Sequence, residues 1–249
     1  MNIIRHERIK EYIEEKSVAT IKEIQALFPE VSLMTIHRDL TALEEQGIIT
    51  KHRGMVKFTR YKEDVDFHVR MEENNPGKLS MVKKAIPLLQ PHSSVFLDAG
   101  TSNLFLAKNL PDISLNVVTT SPSIALELCK LHNPTVTLCC GTMNRRNLSV
   151  SGLNTLEMLK KINIDIAFLG VSGYSADAGF TCGTEADMLI KRLILDKARV
   201  SVMLCGAEKL GRLMPHTFGS IEDADYIITD ATVPEEFARA AKDAGAKLL

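Results

Sequence analysis

The sequence predicts an α/β protein in two parts: a small N-terminal unit of helices and one β-hairpin, and a larger domain built on a mostly parallel sheet. Three observations carry this expectation. In the first sixty residues apolar side chains recur at 3–4 spacing, then give way to a short strand–turn–strand pattern. From residue 95 onward short apolar runs alternate with helical stretches, as in strands covered on both faces. The chain has 249 residues, enough for two domains.

A first helix is expected from Ile4, Ile9, Tyr12 and Ile13 on one face, with Lys16-Ser17-Val18 as its break. Thr20 can cap a second, short helix whose Ile21, Ile24, Leu27 and Phe28 face inward, and Pro29 ends it. Ser32 is a good N-cap for a third, longer helix. Its apolar stripe is Leu33, Ile36, Leu40 and Leu43, and Gly47 stops it. The opposite face carries Thr35, His37, Arg38 and Thr41, which could reach base edges and phosphates. Residues 48–50 read as a strand, Lys51-His52-Arg53-Gly54 as a cationic turn, and residues 55–58 as the returning strand. Helix, helix, turn, longer helix, hairpin is the winged helix-turn-helix pattern, whose third helix enters the major groove. The DNA-binding candidates are Ser32, Thr35, His37, Arg38, Thr41, Lys51, His52 and Arg53. The competing reading, a three-helix bundle with solvated charges, leaves the coincidence of polar face and basic wing without a reason.

Domain boundaries are expected at 1–58 for this unit, 59–77 for a linker with a short helix around residues 66–73, and 78–249 for the α/β domain. Residues 78–89 read as a helix with Leu79, Val82, Ile86 and Leu89 on one face and Pro87 as a kink or early end. Strands follow at 95–97, 115–118, 135–139, 164–169, 200–204, 226–228 and 246–249. Helices are expected at 104–110, 122–131, 186–198 and 234–244. In open α/β sheets ligands bind outside the carboxyl ends of the strands. Here those ends carry Asp98-Ala99-Gly100-Thr101-Ser102 and Thr119-Thr120-Ser121. Glycine lets a backbone come close to a ligand, and hydroxyls with amides at a helix N-terminus favour an anion such as phosphate. Asp98 and Asp165 suit sugar hydroxyls better, or brace loops.

The N-terminal residues resemble the DNA-binding signature of the DeoR family of bacterial repressors. The match is Thr35-Ile36-His37-Arg38-Asp39-Leu40, Leu43-Glu44, Gly47 and Lys51-His52-Arg53-Gly54. His37 stands where the first of two arginines is usual, and it cannot make the bidentate arginine–guanine contact. Met55 stands where a second glycine is usual. The resemblance extends over nearly the whole chain. It includes Lys78, the run 96–102, the run 118–121, Cys140-Gly141 with Gly152, the run 165–170, Gly179-Phe180-Thr181, Lys209 and Ile228-Thr229-Asp230. These are similar to the sugar-phosphate-sensing C-terminal domain of DeoR-type repressors, related in fold to ribose-5-phosphate isomerase and the CoA transferases. Cys140 replaces a usual Gly, and the run 204–209 lacks an Asp and a Ser usual before the Lys. The resemblance implies a repressor whose effector, a phosphorylated sugar, meets Asp98, Gly100, Thr101, Ser102, Thr119, Thr120, Ser121, Gly141, Asp165, Gly170 and Lys209. Binding is expected to draw the 98–102 and 119–121 loops together and to shift the helix near 66–73.

Composition sets the exclusions. No apolar run approaches the ~20 residues of a membrane span, and the N-terminus has no apolar signal segment, so a cytoplasmic protein is expected. Cys129, Cys139, Cys140, Cys182 and Cys205 form no C-x-x-C and no zinc-like spacing, so neither metal nor cofactor is expected, and an odd count suits reduced thiols. Net charge is −1, yet residues 32–60 hold five basic against three acidic side chains. That modest local excess fits a specific binder of double-stranded operator DNA acting as a homodimer or homotetramer. Two other readings compete. One is a sugar-phosphate isomerase or deaminase-type enzyme fused to a DNA-binding module, with Asp98, Asp165, Glu185 and Lys209 converging. The other is a constitutive DNA-binding protein whose second domain only oligomerises. The DNA-binding unit argues against the first, and the Ser/Thr/Gly strand ends against the second.

Overall fold

The computed structural model describes residues 2–45, 48–58 and 66–249. The expected helix stop at Gly47 and linker residues 59–65 lie outside them. The chain divides into two compact units, residues 1–62 and 63–249.

In the first unit α1 (Asn2–Lys16) ends at Ser17, whose φ of 62° turns the chain into β1 (Val18–Thr20), a strand that periodicity does not reveal. Thr20 opens α2 (Ile21–Ala26) with a capping box: its Oγ1 accepts from the Glu23 amide at 3.1 Å, and Glu23 accepts from the Thr20 amide at 2.7 Å. Ser32 Oγ accepts from the Thr35 amide at 3.2 Å at the start of α3 (Leu33–Glu45). Next come β2 (Ile49–His52) and β3 (Met55–Phe58), and β3 lies between β1 and β2 in an antiparallel sheet. Lys51 and His52 therefore belong to a strand, and the turn is Arg53-Gly54 alone, with Gly54 supplying the positive φ of a two-residue hairpin. Ile9, Ile13, Ile24, Ile36, Leu40, Leu43, Ile49 and Val56 make the core. Ile4 and Leu33 do not join it; they are 75% and 45% exposed. Five residues separate Ile4 from Ile9, about 140° of helix rotation, which puts Ile4 on another face. Leu33 keeps the phase of its stripe but sits in the first turn of α3, beyond the core.

The second unit opens with α4 (Phe67–Glu72) and α5 (Asn75–Ala85). Asn74 caps α5 by accepting from the Gly77 amide at 3.2 Å, so the helix starts before Lys78, with Pro76 in its first turn. At Pro87 it passes into a 3₁₀ turn, Ile86–Leu88. Its buried stripe is Lys78, Met81, Val82 and Ala85, whereas Leu79 is exposed. There follow β4 (Ser94–Leu97), α6 (Thr101–Lys108), β5 (Asn116–Thr119), α7 (Pro122–Leu128) and β6 (Thr135–Leu138). A hairpin of β7 (Thr142–Asn144) and β8 (Ser149–Ser151) leads to α8 (Leu153–Leu159), then β9 (Ile164–Gly170), β10 (Gly173–Ser175) and β11 (Gly179–Cys182). α9 (Glu185–Lys197), β12 (Ala198–Leu204), β13 (His216–Gly219), β14 (Tyr226–Ile228), α10 (Glu235–Asp243) and β15 (Lys247–Leu248) complete it.

The main sheet has seven strands in the order β15-β14-β12-β9-β4-β5-β6, every pair parallel. Val95, Leu97, Ile166, Phe168, Val202 and Leu204 face α5, α6 and α7; Phe96, Ala167, Leu169 and Met203 face α9 and α10. β10, β11 and β13 form a separate antiparallel sheet. None of the described helices is long and apolar enough to cross a membrane.

Candidate nucleic-acid interface and ligand pocket

In the first unit α3 presents Ser32, Met34, Thr35, His37, Arg38 and Thr41 around one shallow concavity of about 360 Å³. Thr41 Oγ1 donates to the His37 carbonyl at 2.9 Å and accepts from Lys51 Nζ at 2.9 Å. Lys51 also pairs with Glu44 at 3.0 Å, and its amide donates to the same carboxylate at 2.7 Å, which fastens β2 to α3. His52 and Arg53 stand exposed at the hairpin tip. Behind α3, the buried Asp39 accepts from Arg5 at 2.5 and 3.0 Å and pairs with His6 at 3.0 Å. Burial raises the Asp39 pKa, but Arg5 and His6 outweigh it and hold the carboxyl below its ordinary value. Asp39 is thus a brace between α1 and α3, and the polar face opposite stays open.

In the second unit β4 and β9 are neighbours whose chains leave in opposite directions along the sheet, β4 towards β5 and β9 towards β12. The carboxyl ends at such a reversal leave a crevice, and a cavity of about 260 Å³ lies there. Asp98, just past β4, and Gly170, the last residue of β9, form its floor. Lys191 of α9 is buried and donates to the Asp98 carboxylate and, at 2.7 Å, to the Gly170 carbonyl. The Gly170 amide donates to Asp98 at 3.0 Å. Burial lowers the Lys191 pKa, and Asp98 overrides that and holds it above the ordinary lysine value. One wall is the start of α6: Gly100, Thr101, Ser102 and Asn103 line the cavity, and no side chain caps the helix. The other wall holds Lys78 and Lys209. Lys209 pairs with Glu208 at 3.3 Å, while Lys78 donates to the carbonyls of Arg70 and Glu73. Burial, and then the charge of Lys209, push the Lys78 pKa down.

Of the residues expected to meet a ligand, the fold gathers Asp98, Gly100, Thr101, Ser102, Gly170 and Lys209 around this cavity. Five others do not line it. Thr119, Thr120 and Ser121 are buried and engaged locally. Thr119 Oγ1 donates to the Leu97 carbonyl at 2.7 Å and accepts from the Ser121 amide at 3.0 Å. Ser121 Oγ caps α7 from 3.4 Å, and the Thr120 carbonyl accepts from the Val150 amide at 2.8 Å. Gly141, at φ 153°, lies where a side chain would collide with the Thr155 hydroxyl and the Ser151 carbonyl. Asp165 sits at the opposite end of β9, accepting from the Ser94 amide at 2.9 Å and pairing with Arg199 at 3.6 Å. Glu185 is exposed in the first turn of α9, outside the cavity.

The lysines at 78 and 191 are absent from the residues expected at the site. Each interrupts the buried stripe of its helix, Lys78 beside Met81, Val82 and Ala85, Lys191 beside Ile190, Ile194 and Leu195. A cation inside an apolar stripe is the signal that points to them. Cys182 also lines the cavity, but burial pushes its thiol up to about 12. The described residues hold no cluster of metal-ligating side chains.

Residues 5–61 match the DeoR-like helix-turn-helix domain, and residues 73–231 match the DeoR C terminal sensor domain. The HTH-type transcriptional regulator GlpR of Haloferax volcanii is 30% identical over 98% of this chain and 96% of its own length. The glycerol-3-phosphate regulon repressor of Escherichia coli K12 is 27% identical over 92% of this chain and 91% of its own. A solved D-ribose-5-phosphate isomerase in complex with phospho-erythronic acid is 18% identical, covering 54% of this chain and 53% of that one with a TM-score of 0.40.

Proposed function

The chain belongs to the DeoR family of helix-turn-helix transcriptional regulators, and on that premise we propose that it represses an operon of sugar or sugar-derivative metabolism under the control of a phosphorylated sugar. The observation that carries this reading is the crevice at the β4–β9 reversal, where an uncapped helix N-terminus and two lysines meet a carboxylate floor. The α6 amides with Lys78 and Lys209 suit a phosphate. Asp98, with a lone pair to spare, suits a sugar hydroxyl. An E. coli relative named for the glycerol-3-phosphate regulon supports this ligand class. On the DNA side, α3 enters the major groove of double-stranded operator DNA with Ser32, Thr35, His37, Arg38 and Thr41. Lys51, His52 and Arg53 of the wing meet the phosphate backbone. Paired half-sites call for a symmetric homodimer or homotetramer working in the cytoplasm.

One observation favours a second reading. The buried Asp98–Lys191 pair is an acid–base couple of the kind an isomerase or deaminase needs. The helix-turn-helix unit, useless to such an enzyme, weighs for the regulator. Fluorescence anisotropy of the full-length protein on the DNA upstream of its own gene, titrated with a panel of sugar phosphates, tests both. Tight binding that one compound sharply changes is expected. No specific binding, with isomerase turnover on the same panel, replaces the repressor by the enzyme.

A further inference from the structure

We propose that Lys78 is a ligand of the effector's phosphate, and that it reaches the phosphate by releasing the last turn of α4. The inference rests on the pocket reading above and adds a residue and a movement to it.

Lys78 is 7% exposed and lines the cavity. A buried ammonium ordinarily has a carboxylate against it, because neutral partners do not replace the hydration it gives up. Lys78 donates only to two neutral carbonyls, those of Arg70 and Glu73, and among the described residues it forms no ion pair. An ammonium has three donors, and beyond these two bonds Lys78 has the face of the Phe105 ring, 5.4 Å from its Nζ, so among the described residues no oxygen takes the third. Lys209 stands on the same cavity and repels it, Glu73 and Glu208 attract it less strongly from beyond ion-pair distance, and the uncapped start of α6 lines the same space. Carboxylates share the lining, at Glu73, Asp98, Asp187 and Glu208, with Asp98 held by Lys191 and Asp187 by Asn147; Lys78, Lys209 and the helix N-terminal amides are the groups there that suit an anion rather than a neutral sugar.

Of the two carbonyls that Lys78 holds, that of Arg70 lies in the last turn of α4 and that of Glu73 is on its C-cap. α4 has six residues, too few to be stable alone. Its own ladder includes the Arg70 amide on the Asp66 carbonyl at 3.0 Å in the first turn and the Glu73 amide on the Val69 carbonyl at 3.3 Å in the last. Lys78 therefore acts as a cationic C-terminal cap for it. The bonds to the two carbonyls are charged on the donor side only, and a phosphate oxygen charges the acceptor as well, adding an ion-pair attraction that a neutral carbonyl lacks. The ammonium turns to the phosphate and α4 loses its cap. α4 is the first helix of the second unit in chain order, so occupancy of the pocket loosens the helix that stands nearest in sequence to the helix-turn-helix unit.

Hydrogen exchange by mass spectrometry on the full chain tests this, with inorganic phosphate as the probe and chloride at equal ionic strength as the control. Phosphate is expected to slow exchange at residues 100–103 and to speed it about tenfold at residues 67–73. Lys78→Met is expected to show the fast α4 exchange without phosphate and no further response. Protection at residues 100–103 with α4 unchanged in the wild type overturns the release by Lys78 and leaves the pocket reading standing. No protection at residues 100–103 in the wild type overturns the pocket reading and this inference together. Both outcomes are read on the unmodified chain, so they hold even where Lys78→Met fails to fold.

Discussion

Single side chains carry the sharpest tests. Removing the charge of Asp98 strands the Lys191 ammonium in the interior, since its other bond goes to the neutral Gly170 carbonyl. Asp98→Asn should lower stability by about 3–5 kcal/mol in urea unfolding, and Asp98→Asn with Lys191→Met should recover much of the loss, because the costly state is the unpaired charge. Asp39 makes a pH prediction. Its folded pKa is depressed below the ordinary 3.8, so its contribution is present above that value and is lost as pH falls through the folded one. Asp39→Asn should weaken the first unit at neutral pH and flatten its acid limb; an unchanged acid limb in pH-dependent unfolding would place the sensitivity elsewhere. At the interface, Arg38 is exposed on α3, so Arg38→Ala should abolish operator binding and leave effector binding intact, as anisotropy and calorimetry on one preparation can show.

Elements were legible where their signals are local. Thr20 and Ser32 mark helix starts in the sequence because a hydroxyl needs only an amide three residues on, and both bonds form. Thr20→Ala should therefore cost about 1 kcal/mol, visible as a lower midpoint for the first unit in thermal unfolding. The strands β10, β11 and β13 have only three or four residues each, and β13 pairs with β11 across more than thirty residues of chain, so no periodicity announces them. The site was half legible for a related reason. A hydroxyl at a strand end looks the same whether it meets a ligand, as the position of Thr101 allows, or a neighbouring carbonyl, as Thr119 does with Leu97. Lys78 and Lys191 stand inside buried apolar stripes, and what they hold, the α4 carbonyls and Asp98, comes from other elements and is not legible from the neighbouring sequence.

At the scale of the molecule, the helix-turn-helix unit and the α/β unit each bury a core of their own. Calorimetry should resolve two transitions. A bound effector should raise only the one belonging to residues 63–249, by about 4 kcal/mol when present at a thousandfold over its Kd. Thiol labelling gives a second view of the same unit. Cys129 and Cys140 are exposed, while burial holds Cys139 at about 11 and Cys182 and Cys205 at about 12. The first two should react in the native protein and the other three only on unfolding; fast native labelling of Cys182 would mean that the cavity opens further than its walls suggest.

The floor of that cavity also bears on how such a sensor can acquire a new ligand. Asp98 and Lys191 are locked by mutual dependence, so any lineage that alters one must pass through a crippled intermediate before it alters the other. Glu73 and Glu208 stand exposed at the rim, where single replacements are tolerated. Selection for response to a different effector should therefore return changes at 73 and 208 far more often than at 98 or 191. The inherited floor would persist while the preference of the pocket drifts around its edge.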